Sequence, residues 1–302
     1  MKILMRRMGL FVILAASVQL MSCGGGGGGS SGTGGFIGSG SWYVTGFEWP
    51  HDGNPWESEN FVIYSDGAGE DAKQALAQLA EETLSDIKIQ FAIDNNDIFL
   101  FPMGQTKIDI YAYKNRYPSD WGGWGYYGGL LIFSLDHPER TSFGHTEPEI
   151  YNPTVKHELM HVVESLLKGS NDPTLVDVWL TEGLAEAVSG GTAGGSVTDL
   201  QKFNGLRNQY GSLNPIAMHR YEDYPGTDTG LIAYEYLYPM FQLAVEYLVD
   251  ANGYGGTIND VKNLLMDVRN GVPFPTAFQN RFGMSLSEYE NQFFALMNGY
   301  LP

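Results

Sequence analysis

The chain has 302 residues, with 35 Asp and Glu against 17 Lys and Arg, a formal net charge of −18. One cysteine excludes a disulfide scaffold and any cysteine-built zinc or iron–sulfur cluster, and the acidity opposes nucleic acid, whose phosphates need a basic footprint. The length fits one large domain or two small ones, and 43% hydrophobic residues suffice for a sizeable core.

Lys2, Arg6 and Arg7 precede a mostly apolar run from Gly9 to Leu20, closed by Met21, Ser22 and Cys23. This is the order of a secretory leader, and the run is too short to span a bilayer. Leu20-Met21-Ser22-Cys23 resembles the bacterial lipobox, which implies cleavage after residue 22 and acylation of Cys23. The resemblance places the protein outside the cytoplasm on a lipid anchor, with Gly24 after Cys23 favouring the outer membrane or cell surface over the inner membrane. Residues 1–22 are thus expected as signal peptide. Residues 23–40 are expected as the lipidated Cys23 and a flexible tether, holding eleven of the 39 glycines. Losing Lys2, Arg6 and Arg7 would take the net charge to −21, which repels anionic lipid, so attachment is expected to be covalent.

Residues 41–302 are expected as one domain, without internal repeats or a second linker, and as a monomer. Asn60–Ser65 alternates as a strand, and Glu70 to about Phe91 reads as a helix with Ala75, Leu76, Leu79, Ala80, Leu84 and Ile87 on one side. Thr106–Tyr113 and Gly129–Leu135 read as further strands. Between them Trp121–Gly129 reads as a glycine-rich loop whose aromatics Trp121, Trp124, Tyr126 and Tyr127 line a cleft or simply pack. Pro153 fits the first turn of a helix that Gly169 ends. Further helices are expected over Val178–Ser189, Pro239–Asp250, Thr257–Asn270 and Leu286–Met297, the last opened by a capping box of Ser285 and Glu288. Strands in the first half and helices in the second make the fold class α+β.

Within the helix after Pro153 stands His157-Glu158-Leu159-Met160-His161. Residues four apart share a helical face, so both imidazoles converge on one ion, with Glu158 displaced to the side. Neutral imidazole suits Zn²⁺, and two histidines leave room for a third protein ligand. Twenty-one residues after His161 comes Glu182, within Trp179-Leu180-Thr181-Glu182-Gly183-Leu184-Ala185-Glu186.

The pair of motifs resembles the gluzincin metallopeptidases, the clan of thermolysin and the zinc aminopeptidases, with HExxH on one helix and a glutamate ligand on the next. The resemblance implies a zincin catalytic fold and a peptide or protein substrate. His157, His161 and Glu182 would be the Zn²⁺ ligands and Glu158 the general base that activates water. Glu186, where the family commonly has Asp, would bond the first ligand histidine from behind; the alternative is a solvated face charge. An oxyanion donor is sought among Tyr234, Tyr236 and Tyr238. Tyr238 is preferred because Pro239 marks a helix start and Leu248 follows ten residues on. Gly128–Phe133 lacks the glutamate with which the aminopeptidases hold a free amino terminus, which favours an endopeptidase. The competing expectation is a non-catalytic cell-surface binding lipoprotein on a peptidase fold. His51, His137, His145 and His219 have no ligand spacing, and Glu164 reads as a polar helix-face residue.

Overall fold

In Phe61–Ser65 and Ile108–Ala112 every second residue is buried, the period of a strand with one covered face. The computed structural model describes residues 54–65, 67–93, 99–112, 123–132, 147–189, 214–217, 219, 231–251 and 253–298. The expected leader, Cys23, the tether, Trp121, His51, His137 and His145 lie outside the described residues. Among those described, no helix is long and apolar enough to cross a membrane.

Five strands form one mixed sheet in the order β1-β2-β3-β5-β4. They are β1 (Trp56–Glu57), β2 (Phe61–Ser65), β3 (Ile108–Ala112), β4 (Gly123–Tyr126) and β5 (Gly129–Ile132). β2, β3 and β5 run parallel, in a register that aligns Phe61 with Ile108, Ile63 with Ile110, and Ile110 with Leu130. All five are buried, so a one-residue slip would turn a complete row of core side chains outward. β1 and β4 pair antiparallel at the two edges.

Helix α1 (Glu70–Gln90) packs on β1 and β2, and α2 (Glu147–Lys168) on β4 and β5; the two helices also touch. The buried stripe of α1 is Lys73, Leu76, Ala77, Ala80, Thr83, Leu84 and Ile87, so Ala75, expected inside, is exposed and Ala77 takes its place. The C-terminal half is mainly helical: α3 (Val178–Ser189), a 3₁₀ turn (Pro215–Ala217), α4 (Leu231–Val249), α5 (Ile258–Arg269), α6 (Phe274–Phe282) and α7 (Leu286–Asn298). α3 is sandwiched between α2 and α4, and α5 packs on α2 and α6. The expected α+β class is therefore present, as a sheet in the N-terminal part followed by helices.

Four local expectations need correction. Trp121–Gly129 contains strand β4 and a two-residue turn, Tyr127-Gly128, into β5; Gly128 at φ +90 is what lets the chain reverse so tightly. α2 begins at Glu147, before Pro153, and ends where Gly169 adopts φ +66. Pro153 thus lies inside the helix, where proline forgoes a backbone bond at a cost of about 3 kcal/mol, and the helix continues through it. α4 begins at Leu231 and runs through Pro239, because Leu237–Phe241, Ala244 and Val245 are buried and their packing outweighs the break of about 3 kcal/mol. α6 was not anticipated; it is short, led by Pro273 and ended by Gly283, and it buries Phe274, Ala277, Phe278 and Phe282. The Ser285–Glu288 capping box forms as expected, and Thr257 with Asp260 makes a second one at α5.

Candidate metal centre

α2 presents His157 and His161 on the face turned towards α3, which carries Glu182. α3 can lie so close to α4 because Gly183 has no side chain. A Cβ there would stand 2.4 Å from the Phe241 carbonyl oxygen. The opposite wall is the edge strand: a Cβ on Gly125 would stand 2.2 Å from the Glu158 carbonyl oxygen and 2.8 Å from His161 Cβ. Of these two close approaches, each requiring glycine, one seats α3 on α4 and the other seats β4 on the turn of α2 that carries Glu158 and His161.

The three expected ligands meet. His157 Nε2 lies 3.1 Å from His161 Nε2, and Glu182 Oε2 lies 3.3 and 3.4 Å from those nitrogens. Ligands at 2.0–2.1 Å around a tetrahedral ion stand about 3.3 Å apart, so this near-equilateral triangle has the size that Zn²⁺ requires. All three residues are buried. A buried His/His/Glu triad of this kind can hold a metal ion.

Behind the ligands stand more carboxylates. Glu186 Oε1 is 2.9 Å from His157 Nδ1 and fully buried, so it is no solvated face charge. Glu164 is also buried, contrary to its reading as a helix-face residue. Its Oε1 accepts from Lys168 Nζ at 2.9 Å and from Thr181 Oγ1 at 3.2 Å, while Oε2 stands 4.0 Å from His161 Nδ1. Each imidazole therefore has a carboxylate facing its Nδ1, which favours presenting Nε2 to an ion. The i, i+3 spacing of His161 and Glu164 was the one sequence signal for the second of these.

Glu158 is buried beside the triad, and its Oε2 accepts a hydrogen bond from the Gly125 backbone N–H at 2.6 Å. No sequence pattern announced that bond, since it joins a helix to a strand through main chain. The Tyr238 ring lies 6.0 Å from that of His157, nearly parallel at 19°, although Tyr238 sits within α4 and not before it. Tyr234 and Tyr236 stand on the same helix.

Charge completes the fit. Glu158, Glu164, Glu182 and Glu186 surround the two imidazoles, and among the described residues Lys168 is the only buried lysine or arginine beside them. Burial pushes the His157 pKa down, but Glu182 and Glu186 outweigh it and hold it at about 9. Burial likewise opposes charge on His161, and Glu182 and Glu164 overcome it, so its pKa is raised well above the ordinary value. Glu182 is held far below the usual carboxylate range: burial opposes its charge, and both histidines outweigh that. The carboxylates thus favour positive charge at the centre of the triangle, which either protons on the imidazoles or a metal ion can supply.

No known protein-family model matches the chain, and no curated protein matches it at a significant level.

Proposed function

We propose that this protein is a zinc metallopeptidase of the HExxH-plus-glutamate kind, held outside the cytoplasm by an acylated Cys23 and the glycine-rich segment after it. The observation that carries the reading is the triangle of His157 Nε2, His161 Nε2 and Glu182 Oε2, with Glu158 immediately beside it. Those three residues would hold a Zn²⁺ ion, whose chemistry is to polarise a carbonyl and to lower the pKa of water towards neutrality. Glu158 takes the proton from the attacking water and delivers it to the leaving amine. The Gly125 N–H fixes one of the Glu158 carboxylate oxygens and so orients the group for that transfer. Glu186 and Glu164 orient the imidazoles, and Tyr238, stacked on His157, is the preferred donor to the developing oxyanion. Strands β4 and β5 carry no acidic residue to bind a free amino terminus, and β4 is a sheet edge to which an extended peptide can add. Both features favour internal cleavage of a chain over trimming from its amino end.

Metal analysis with casein cleavage, on the wild type and on Glu158→Gln, tests the reading. Glu158→Gln is expected to keep the zinc and to lose at least about 100-fold in rate, the contribution of a general base. Equal behaviour of the two proteins on casein and on a broad peptide library would eliminate peptidase activity and leave the binding-protein alternative.

A further inference from the structure

A second group of potential ligands lies outside the site described above. Asp177, just before α3, His219, just after the 3₁₀ turn, and Glu290, on α7, bring one donor atom each to within 4.8 Å of one another. They come from three distant parts of the chain, and the main chain fixes them there. The Val178 N–H donates to the His219 carbonyl at 3.3 Å, and Asn214 Nδ2 donates to the Glu290 carbonyl at 3.0 Å.

Among the described residues, one histidine faces two carboxylates here. His219 Nδ1 lies 2.7 Å from Asp177 Oδ2 and 3.9 Å from Glu290 Oε1. His219 thus sits against Asp177, with Glu290 beyond hydrogen-bond reach of it. Glu290 is 4% exposed, and its Oε1 has no hydrogen-bond partner among the described residues. A buried oxygen without a partner destabilises the fold unless something satisfies it. Burial pushes the Glu290 carboxyl up to about 7, with His219 opposing and Asp177 reinforcing the rise.

We propose that Asp177, His219 and Glu290 form a second metal site, which takes a divalent transition-metal ion such as Zn²⁺. One dication serves both carboxylates, and the donor separations, 2.7 Å at the shortest and 4.8 Å at most, bracket the roughly 3.3 Å of tetrahedral zinc. An imidazole with two carboxylates selects against Ca²⁺, which prefers oxygen ligands alone. The half-exposed His219 leaves one side open for water as a fourth ligand. The ion staples the start of α3, five residues before Glu182, to the C-terminal helix. Its role is to hold α3 in place; it touches no reacting group. The inference does not depend on peptidase activity.

Equilibrium dialysis against Zn²⁺, followed by metal analysis, tests it on the full chain and on His219→Ala and Glu290→Gln. His219 is surface-exposed and Glu290→Gln nearly isosteric, so both are suited to preserve the fold, which circular dichroism checks. Each variant is expected to hold about one equivalent less than the wild type. That difference is read whether the wild type holds two ions or, if the His157 site takes none, only one. Identical stoichiometry in wild type and variants overturns the proposal. Should a variant fail to fold, histidine side-chain ¹⁵N spectra of the wild type decide. Zn²⁺ must shift the His219 Nδ1 resonance, and an unmoved resonance overturns the site. Millimolar Ca²⁺ must leave that shift in place; displacement by Ca²⁺ overturns the assignment to a transition-metal ion.

Discussion

Gly183→Ala is the sharpest test of how the metal centre is built. The added Cβ would meet the Phe241 carbonyl oxygen at 2.4 Å, its carbon at 2.7 Å and Val245 Cγ2 at 2.7 Å, where ordinary contact begins at 3.4 Å. Two of those atoms are helical main chain and cannot swing aside, so α3 and α4 must separate by about 1 Å. Forcing a methyl into a packed interface costs about 1–3 kcal/mol. The alanine returns about 1 kcal/mol of helix propensity. With backbone on the receiving side the cost lies in the upper part of its range, and the net destabilisation is about 1–2 kcal/mol. For a chain of this size that lowers the thermal midpoint by about 2–4 °C per kcal/mol. On the proposed zinc site, affinity should fall as well, because Glu182 precedes the altered residue on α3 and Tyr238 rides on α4 against His157. Thermal unfolding with and without Zn²⁺ reads both effects. A variant as stable as the wild type, with unchanged zinc affinity, would refute the close approach of α3 and α4 and with it the reason for glycine at this position.

Two further substitutions probe supporting contacts. Glu186→Gln removes the charge facing His157 Nδ1 and is expected to weaken zinc binding by about 10–100-fold while the protein stays folded, as competition with a chromophoric chelator would show. Glu81 accepts hydrogen bonds from Ser58 Oγ, Asn60 N and Asn60 Nδ2, all at 2.7 Å, fastening α1 to the start of β2. Burial raises its pKa, but those bonds outweigh it and the folded value lies below 4.5. Its stabilisation is therefore complete above pH 4.5 and lost as pH falls through the folded pKa. Glu81→Gln should cost about 1–2 kcal/mol in urea unfolding at pH 7, with the gap to wild type closing in acid. A pH-independent gap would show that the carboxylate charge is not what Asn60 and Ser58 hold.

Local periodicity made most of the fold legible. β2 and β3 announced themselves by alternation, α3 by an apolar stretch whose ends needed no revision, and α7 by Ser285 and Glu288. The His/His/Glu triad, a possible metal site, was legible because His157 and His161 share a face at a spacing fixed by helix geometry, with Glu182 on the next predicted helix. What stayed hidden depended on tertiary contact. The strand in Trp121–Gly129 is written in glycines, which read as loop until α2 is seen pressed against Gly125. Pro239 read as a helix start because the burial that carries α4 through it belongs to another element. Glu164 read as surface because Lys168 and Thr181, which permit its burial, are paired with it only once α2 and α3 dock. His219 had no ligand spacing at all, since its companions, Asp177 and Glu290, stand far away along the chain.

The placement of the triad on two successive helices has a consequence for folding. From His157 to Glu182 the chain closes only a short loop, at a small entropic cost. The parallel ladder, by contrast, needs Phe61 to find Ile108 and Asp109 to find Gly129 before any strand is covered. Contacts local in sequence form fast, and distant strand pairings form late. The α2–α3 pair can therefore bring His157, His161 and Glu182 together before the sheet is complete, and an ion held by that triad would act early in refolding rather than as a last addition.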